Sequence, residues 1–545
     1  PIHQDIPAYL QLVKAGKYEE ALTVITEKNP LPFITGTICA HPCMGKCTRN
    51  FYEDSVHIRE MKKIAAENGY DALIGKITAP AVTRPGKAAV VGGGPAGMAA
   101  AYFLRRAGMD VTLFEKSGAL GGVVRHVIPG FRIPENAIDK DAALLEKLGV
   151  NIYLNSEITD ISMLKNAGYT AVILAVGASE PGRLRLEKGD PVNALEFLAD
   201  FKAQDGDLDI GENVVVIGGG NTAMDTARAA KRTKGVEHVY LVYRRTKRYM
   251  PADEEELEMA VEDGVEFMEL LSPVKLEGGK LLCKVMKLGD YDASGRRGVV
   301  ETDEEKEIPA DTVIAAVGEK VPTGFYKDNG IHVNDRGRAL VNEESCETNL
   351  EGVYIVGDGL GGPATVVEGI RDGRKAAEAV IGESLADDIV SQTDEETVYN
   401  RRGNLADASG DKEESGRCLG CEGICENCVE VCPNRANISI RVPGMEKHQI
   451  IHVDYMCNEC GNCKSFCPYD SAPYLDKFTL FADEKDMDDS KNQGFTVLDR
   501  EAVKCKVRFF GDTYVWTKGE ETRIPEGLLK LMETVCRDYG YLLRD

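Results

Sequence analysis

Ala88-Ala89-Val90-Val91-Gly92-Gly93-Gly94-Pro95-Ala96-Gly97 decides the architecture of this chain. The apolar run predicts a buried strand, Gly-x-Gly-x-x-Gly a tight turn, and the residues through Ala107 a helix. Gly92 permits the turn, Gly94 lets backbone approach a pyrophosphate, and Gly97 lets helix pack on strand. Pro95 and Ala96 open the helix, whose free amides face the phosphates. The following strand, Val111–Glu115, ends in an acid 18 residues after Gly97, where a carboxylate would accept from a ribose hydroxyl.

The pattern recurs 126 residues further on, from Gly92 to Gly218, as Val214-Val215-Val216-Ile217-Gly218-Gly219-Gly220-Asn221-Thr222-Ala223. Its next strand, Val239–Tyr243, ends in Arg244-Arg245 rather than an acid. Arginine matches a 2′-phosphate in bidentate fashion and glutamate repels one, which favours NADPH over NADH here. The alternative is that both arginines are a solvated strand end. Around these copies, apolar runs at Ala171–Val176, Thr312–Val317 and Gly352–Val356 alternate with helical stretches, predicting doubly wound α/β architecture from Lys87 to about Gly382. Two nucleotide sites in one chain imply one cofactor giving a hydride and another accepting it.

The chain has 545 residues, enough for roughly three to five domains. Its 65 Lys and Arg against 89 Asp and Glu leave a net charge of −24, a field that repels nucleic acid and anionic membrane. No apolar stretch approaches the roughly 18–20 residues of a membrane span. Before the α/β core, Ile6–Lys14, Tyr18–Lys28 and Val56–Asn68 carry apolar residues at helical spacing. Residue 1 is Pro, and the chain is expected to continue upstream.

Of 16 cysteines, nine fall between Cys418 and Cys467 and three in Cys39-x-x-x-Cys43-x-x-x-Cys47. Cys457-x-x-Cys460-x-x-Cys463-x-x-x-Cys467-Pro468 has the spacing of a bacterial ferredoxin, in which the fourth thiolate reaches the other of two 4Fe-4S cubes. Cys425, Cys428 and Cys432 recur 35 residues later as Cys460, Cys463 and Cys467, a duplication. The expected sets are Cys457, Cys460 and Cys463 with Cys432, and Cys425, Cys428 and a third cysteine with Cys467. The repeat places that third ligand at Glu422, so Cys421 is favoured and Cys418 stays open. Structural zinc is the rival reading of such sets, against which the paired Cys-Pro repeat argues. Cys283, Cys346, Cys505 and Cys536 match no ligand spacing and read as buried, inert thiols. Clusters that must stay reduced point to the cytosol.

The core resembles the two-dinucleotide-domain flavoproteins, above all the glutamate synthase small subunit and the amino-terminal half of dihydropyrimidine dehydrogenase. The resembling segments are Glu115-Lys116 with Gly121-Gly122, Ile128-Pro129-Gly130-Phe131-Arg132, Leu174 to Ala178, Gly218 to Asp225, Tyr243 to Arg245 with Met250-Pro251-Ala252, and Val356-Gly357-Asp358. The resemblance implies FAD at the first site, contacted also by Lys116, Gly121, Gly122, Arg132, Gly177 and Gly318. It implies Gly357 and Asp358 at the ribityl–pyrophosphate region, and a helix opening at Thr365-Val366 toward the flavin pyrimidine edge. Neither nucleotide domain holds a Cys-x-x-Cys pair, so disulfide-reductase chemistry has no thiols to use. The resemblance also implies that Cys39 and Cys43 serve one N-terminal 4Fe-4S cluster and Cys47 another, with further ligands upstream. Where some relatives place a Gln or Glu ligand, this chain has Lys62, whose ammonium cannot ligate iron.

With the ferredoxin-like module added, the layout looks closest to the family labelled selenate reductase iron–sulfur subunit, although no residue here recognises selenate. The expected domains are a helical Fe-S domain (1–80), FAD-binding parts (81–205 and 316–382) around an NAD(P)H-binding domain (206–315), a linker (383–416), a ferredoxin-like domain (417–475) and a small α+β extension (476–545). The expected function is electron transfer from NADPH through FAD and 4Fe-4S clusters to a reductase site on a missing segment or partner subunit. NAD(P)H:ferredoxin oxidation-reduction in either direction, bifurcating or not, and a glutamate synthase small-subunit-like donor are the alternatives, with a non-catalytic scaffold last.

Overall fold

The computed structural model describes every residue except 1, 52, 179, 292–296, 386–399, 401–403, 406–407, 422–424, 446–447, 468–470 and 545. Most of the expected linker, the repeat position Glu422 and the Pro468-Tyr469-Asp470 sequence therefore lie outside the described residues. The chain divides into two compact units, Pro1–His41 with Ile58–Ile389, and Pro42–His57 with Val390–Asp545.

The first unit opens with helices Ile6–Lys14, Tyr18–Lys28, Pro32–Ile38 and Ile58–Lys76. Its two nucleotide domains each hold a five-stranded parallel sheet. In the first, the strand order is Val353–Ile355, Ala171–Leu174, Lys87–Val91, Asp110–Phe114, Asn151–Tyr153. In the second it is Val192–Asn193, Thr312–Ala315, Asn213–Ile217, His238–Tyr243, Glu266–Glu269. The central strands are covered on both faces, so their sequences read as unbroken apolar runs rather than alternating ones. The chain leaves the first sheet after Ala171–Leu174 and returns to it only at Val353–Ile355, with the second sheet formed in between.

Helix Val366–Ile381 packs on helix Pro95–Arg106 at close range. A Cβ on Gly373 would stand 2.5 Å from the Ala96 carbonyl oxygen, so only glycine permits this approach. An antiparallel sheet of strands Leu271–Glu277, Lys280–Tyr291 and Arg297–Pro309, which the apolar pattern does not announce, extends from the second domain.

The second unit contains a mixed six-stranded sheet: Asn437–Ile440, Gln449–Val453, Thr479–Leu480, Gly494–Asp499, Lys504–Phe509, Asp512–Thr517. The hairpin within the second cysteine group and the strands after residue 476 share this sheet through the parallel pairing of His452 with Thr479. The backbone is thus continuous in hydrogen bonding across the expected boundary at 475/476. Helix Glu526–Asp538 covers one face through Leu531, Met532 and Val535.

Candidate functional site

The first glycine turn is built as its sequence demands. Gly92 has φ +104°, and a Cβ there would lie 2.3 Å from the Ala175 carbonyl oxygen. A Cβ on Gly97 would lie 2.0 Å from the Gly92 carbonyl oxygen, so helix and strand meet at backbone contact. Gly94 is different: the nearest atom to its virtual Cβ is Gly122 Cα at 3.9 Å, which leaves the space above it open. Gly122 (φ +54°) and Gly121 wall that space, the latter donating its amide to Gly93 O at 2.8 Å. Pro95 and Ala96 begin the helix.

Glu115 is buried at the end of its strand, and its carboxylate accepts from Gly93 N (2.6 Å), Ser117 N (2.8 Å) and Ser117 Oγ (2.8 Å). Lys116 beside it is exposed. Asp358 accepts from Ala364 N at 3.1 Å, and burial, with Glu319, Glu368 and Asp372 nearby, raises its carboxyl to about 6. Gly357 (φ +65°) and Gly177 (φ +70°) turn the ends of the adjoining strands. Thr365 caps helix Val366–Ile381 in a reciprocal box with Glu368. Gly318 O accepts from Gly182 N at 2.9 Å, tying the two crossing segments between the nucleotide domains.

In the second turn, Gly218 backs onto the Ala316 carbonyl, and Gly220 has no atom within 4 Å of a virtual Cβ. Asn221 exchanges hydrogen bonds with Asp253, at 3.1 Å from the Asp253 amide and 3.2 Å to its carboxylate, which docks the Met250-Pro251-Ala252 segment on the turn. Thr222 is half-buried and Ala223 buried in the following helix. Arg244 is exposed, whereas Arg245 is half-buried and donates through Nε to Arg297 O at 2.9 Å.

Arg132 faces the helix that follows the second turn. Its guanidinium faces Asp225 at 3.5 Å and is ion-paired with Glu256, while the neighbouring Phe131 ring lies under Arg228 and Arg232. The side chain expected at the flavin is therefore committed to carboxylates of the NAD(P)H-side domain.

The unit boundary separates the N-terminal cysteines: Cys39 belongs to the first unit, Cys43 and Cys47 to the second. Lys62 is buried near Asp141, whose carboxyl burial drives well above its usual range despite the Lys62 charge and the amides of Ile34 and Phe33. Its ammonium serves this interior carboxylate.

In the second unit, Cys432, Cys457, Cys460 and Cys463 line one cavity together with Asn437, His452 and Tyr474. Among the described residues no Lys or Arg side chain lines it. His452 is buried, contacts Asn437 Oδ1 through Nδ1 at 3.1 Å, and is held neutral because burial lowers it to about 4. Cys425 and Cys463 lie close enough to Cys428 to bear on its charge, and burial raises Cys428 to about 11. Cys467 is half-buried after helix Asn462–Ser465. Among the described residues no three Cys, His, Asp or Glu converge on a single ion. Four thiols around a cavity suit a cluster, which offers each sulfur its own iron, whereas one zinc ion would draw all four to about 2.3 Å.

The four lone thiols are buried. Burial raises Cys283 to about 12 and Cys346 to about 11, and Cys505 is raised by its hydrogen bond with Cys536 and by burial.

The sequence reading did not anticipate the brace beside the cysteines of the second unit. Arg49 is 2% exposed and donates to Arg417 O (2.6 Å) and Asn404 O (2.9 Å). Arg417 in turn binds both oxygens of buried Glu414, at 2.7 and 2.9 Å, and Ser55 O at 3.3 Å. Glu414 also accepts the His57 amide at 2.8 Å. Apart from the Arg417–Glu414 pair, these partners lie more than 350 residues apart in sequence, so no local pattern reveals the brace.

Residues 86–373 match the family described as pyridine nucleotide-disulphide oxidoreductase, and residues 1–72 match that of dihydropyrimidine dehydrogenase domain II, 4Fe-4S cluster. The Escherichia coli (strain K12) protein YgfK is 40% identical over 570 residues, covering 99% of this chain and 54% of YgfK, so the chain spans about half the length of that relative. The NADP(+)-dependent formate dehydrogenase subunit beta of Moorella thermoacetica is 34% identical over 70% of this chain and 58% of its own. The NADPH glutamate synthase small chain of Azospirillum brasilense is 33% identical over 70% of this chain and 84% of its own. Among the described residues no helix is long and apolar enough to cross a membrane. With its two dinucleotide turns and the match of its first 72 residues to a 4Fe-4S domain family, the chain belongs to the pyridine nucleotide-disulphide oxidoreductase family.

Proposed function

We propose that the chain is an electron-input subunit, which takes hydride from NADPH and delivers single electrons to a reductase site on another segment or a partner subunit. The observation that carries this reading is the pairing, within one unit, of two dinucleotide turns whose next strands end differently, in Glu115 and in Arg244-Arg245. The acid suits the ribose of FAD, and the arginine pair suits the 2′-phosphate of NADPH.

In this reading Gly92, Gly94 and Gly97 shape the pyrophosphate seat, and the amides of Ala96 and Gly97 face it. Glu115, already oriented by Gly93 and Ser117, receives the ribose hydroxyls. Asp358 holds the ribityl–pyrophosphate region, and the amides after Thr365 stabilise negative charge at the pyrimidine edge. Gly218, Gly220 and Asn221 to Ala223 seat the nicotinamide dinucleotide, with Arg244 the freer of the two phosphate-binding cations. When bound, FAD supplies the conversion of a two-electron hydride into single electrons.

The thiols Cys457, Cys460, Cys463 and Cys432 would hold one C-terminal 4Fe-4S cluster, and Cys421, Cys425, Cys428 and Cys467 the other. Cys39 and Cys43 would contribute to one N-terminal cluster and Cys47 to its neighbour. The domain divisions at 81–205, 206–315 and 316–382 are supported by the interrupted first sheet. A dye assay tests the whole reading: FAD-loaded protein is expected to reduce viologen or ferricyanide with NADPH. Absence of reduction with full flavin and iron content would refute it in favour of a passive scaffold.

A further inference from the structure

We infer that Thr48 is a positioning residue for electron transfer: its hydroxyl donates to the sulfur of Cys421 and sets the potential of the iron–sulfur group that this sulfur holds. The inference rests on the proposed role of Cys421 as a ligand.

Thr48 Oγ1 lies 3.3 Å from Cys421 Sγ, within the range for a hydrogen bond to sulfur. Either atom could donate if the cysteine were a free thiol. A ligating sulfur is a thiolate with no proton, so the hydroxyl must be the donor. Thr48 is itself buried, 9% exposed, so the bond is shielded from competing water.

Its position is imposed rather than incidental. The next residue, Arg49, is fully enclosed and fixed by the carbonyls of Arg417 and Asn404. Arg417 begins the segment that leads to Cys421 and is clamped by Glu414, which also takes the His57 amide. The two segments, 48–57 and 404–421, are therefore registered against each other by buried charge adjoining the Thr48–Cys421 pair. The backbone amide of Cys418, three residues before Cys421, bonds Ser415 O at 3.2 Å and continues the same braced segment.

Hydrogen bonds to cluster sulfurs stabilise the more negative, reduced state and raise the reduction potential. The donor comes from the segment bearing Cys43 and Cys47, so the N-terminal cysteine loop tunes a C-terminal group directly.

The test is a potentiometric titration followed by EPR on the full chain with its clusters in place. Thr48→Val is expected to keep the iron content and shift the midpoint potential of one cluster to lower values. Thr48→Ser, which keeps the hydroxyl, is expected to restore it. If Thr48→Val fails to assemble, Thr48→Ala removes the hydroxyl without adding a methyl group against the sulfur and gives the same comparison. Unchanged potentials with intact iron would overturn the inference while leaving the ligand reading standing. Iron counts separate the two failures: Cys421→Ala is expected to lose about four irons, the content of one cube. Retained iron in Cys421→Ala, with loss in Cys418→Ala, would overturn both.

Discussion

The carboxylate of Asp141 accepts the main-chain amide of Ile34 at 2.8 Å, joining residues 107 positions apart, and takes the Phe33 amide at 3.1 Å with its other oxygen. These amides open helix Pro32–Ile38, which leads directly into Cys39. Asp141→Ala would leave two buried donors unmet, at about 1–3 kcal/mol each. We expect urea unfolding to show a loss of about 2–4 kcal/mol. A midpoint equal to that of the parent protein would show that the cap contributes nothing.

Gly94 and Gly97 belong to one motif but answer to different constraints. A Cβ at Gly97 collides with the Gly92 carbonyl, whereas one at Gly94 meets only open space. Gly97→Ala is expected to give misfolded protein, and Gly94→Ala a stable fold with at least about tenfold weaker FAD retention, equivalent to about 1.4 kcal/mol. Thermal unfolding and flavin absorbance after gel filtration check both. Normal flavin content in Gly94→Ala would remove the pyrophosphate from that space.

Cofactor choice is expected to rest on Arg244 more than on Arg245, because Arg245 already bonds Arg297 O. Arg244→Ala should raise KM for NADPH by about tenfold or more and leave NADH nearly unaffected, since only the former carries the 2′-phosphate. Equal effects on both would identify the arginine pair as a solvated strand end.

The acidity of Asp358 predicts a pH dependence in FAD-stripped protein. Its folded value, about 6, lies above the ordinary 3.8, with burial the main cause. The folded state therefore binds the proton more tightly than the unfolded chain. This contribution to stability is full below about 3.8 and falls away as pH rises to about 6. Asp358→Asn should lose less Tm than the parent between those values. Parallel Tm profiles would place the carboxyl at its ordinary acidity.

Among the cysteines, Cys432 lines the same cavity as Cys457, Cys460 and Cys463, although it lies in the preceding repeat. Cys432→Ala is expected to lose about four irons, whereas Cys346→Ala, at an enclosed thiol, should lose none. Equal iron in the two variants would break the crossed pairing.

Arg417 offers a measure of the brace. Replacing it with Met strands the enclosed Glu414 without its guanidinium, a change that costs about 3–5 kcal/mol in comparable buried pairs. A variant as stable as the parent would mean that water reaches Glu414.

Much of the α/β core was legible because its strands are covered on both faces. Apolar runs such as Val214–Ile217 have no other environment in which to sit, and glycine turns mark their ends. Helices Ile6–Lys14 and Tyr18–Lys28 fall where their periodicity puts them. The sheet of residues 271–309 was not legible. Its cross-strand neighbours include Lys280 with Glu307 and Lys284 with Glu305, so its solvent face reads as a charge-rich loop. The surroundings of Arg132 were likewise not legible: the resemblance of Ile128–Arg132 names the residue, and only the folded chain shows Asp225 and Glu256 facing it.

The sequence by itself determined the chemistry carried by short spacing: two glycine turns, an acid after one and arginines after the other, and two cysteine repeats. These are properties of contiguous backbone, in which φ, helix caps and ligand reach extend over a few residues. The tertiary structure alone decided what lies across from each of them. Arg49 against the Arg417 carbonyl, Asp141 beneath Ile34 and Thr48 beside Cys421 are meetings of segments more than a hundred residues apart. Such meetings follow from which buried surfaces and charges satisfy one another on packing, and no spacing within either segment encodes them.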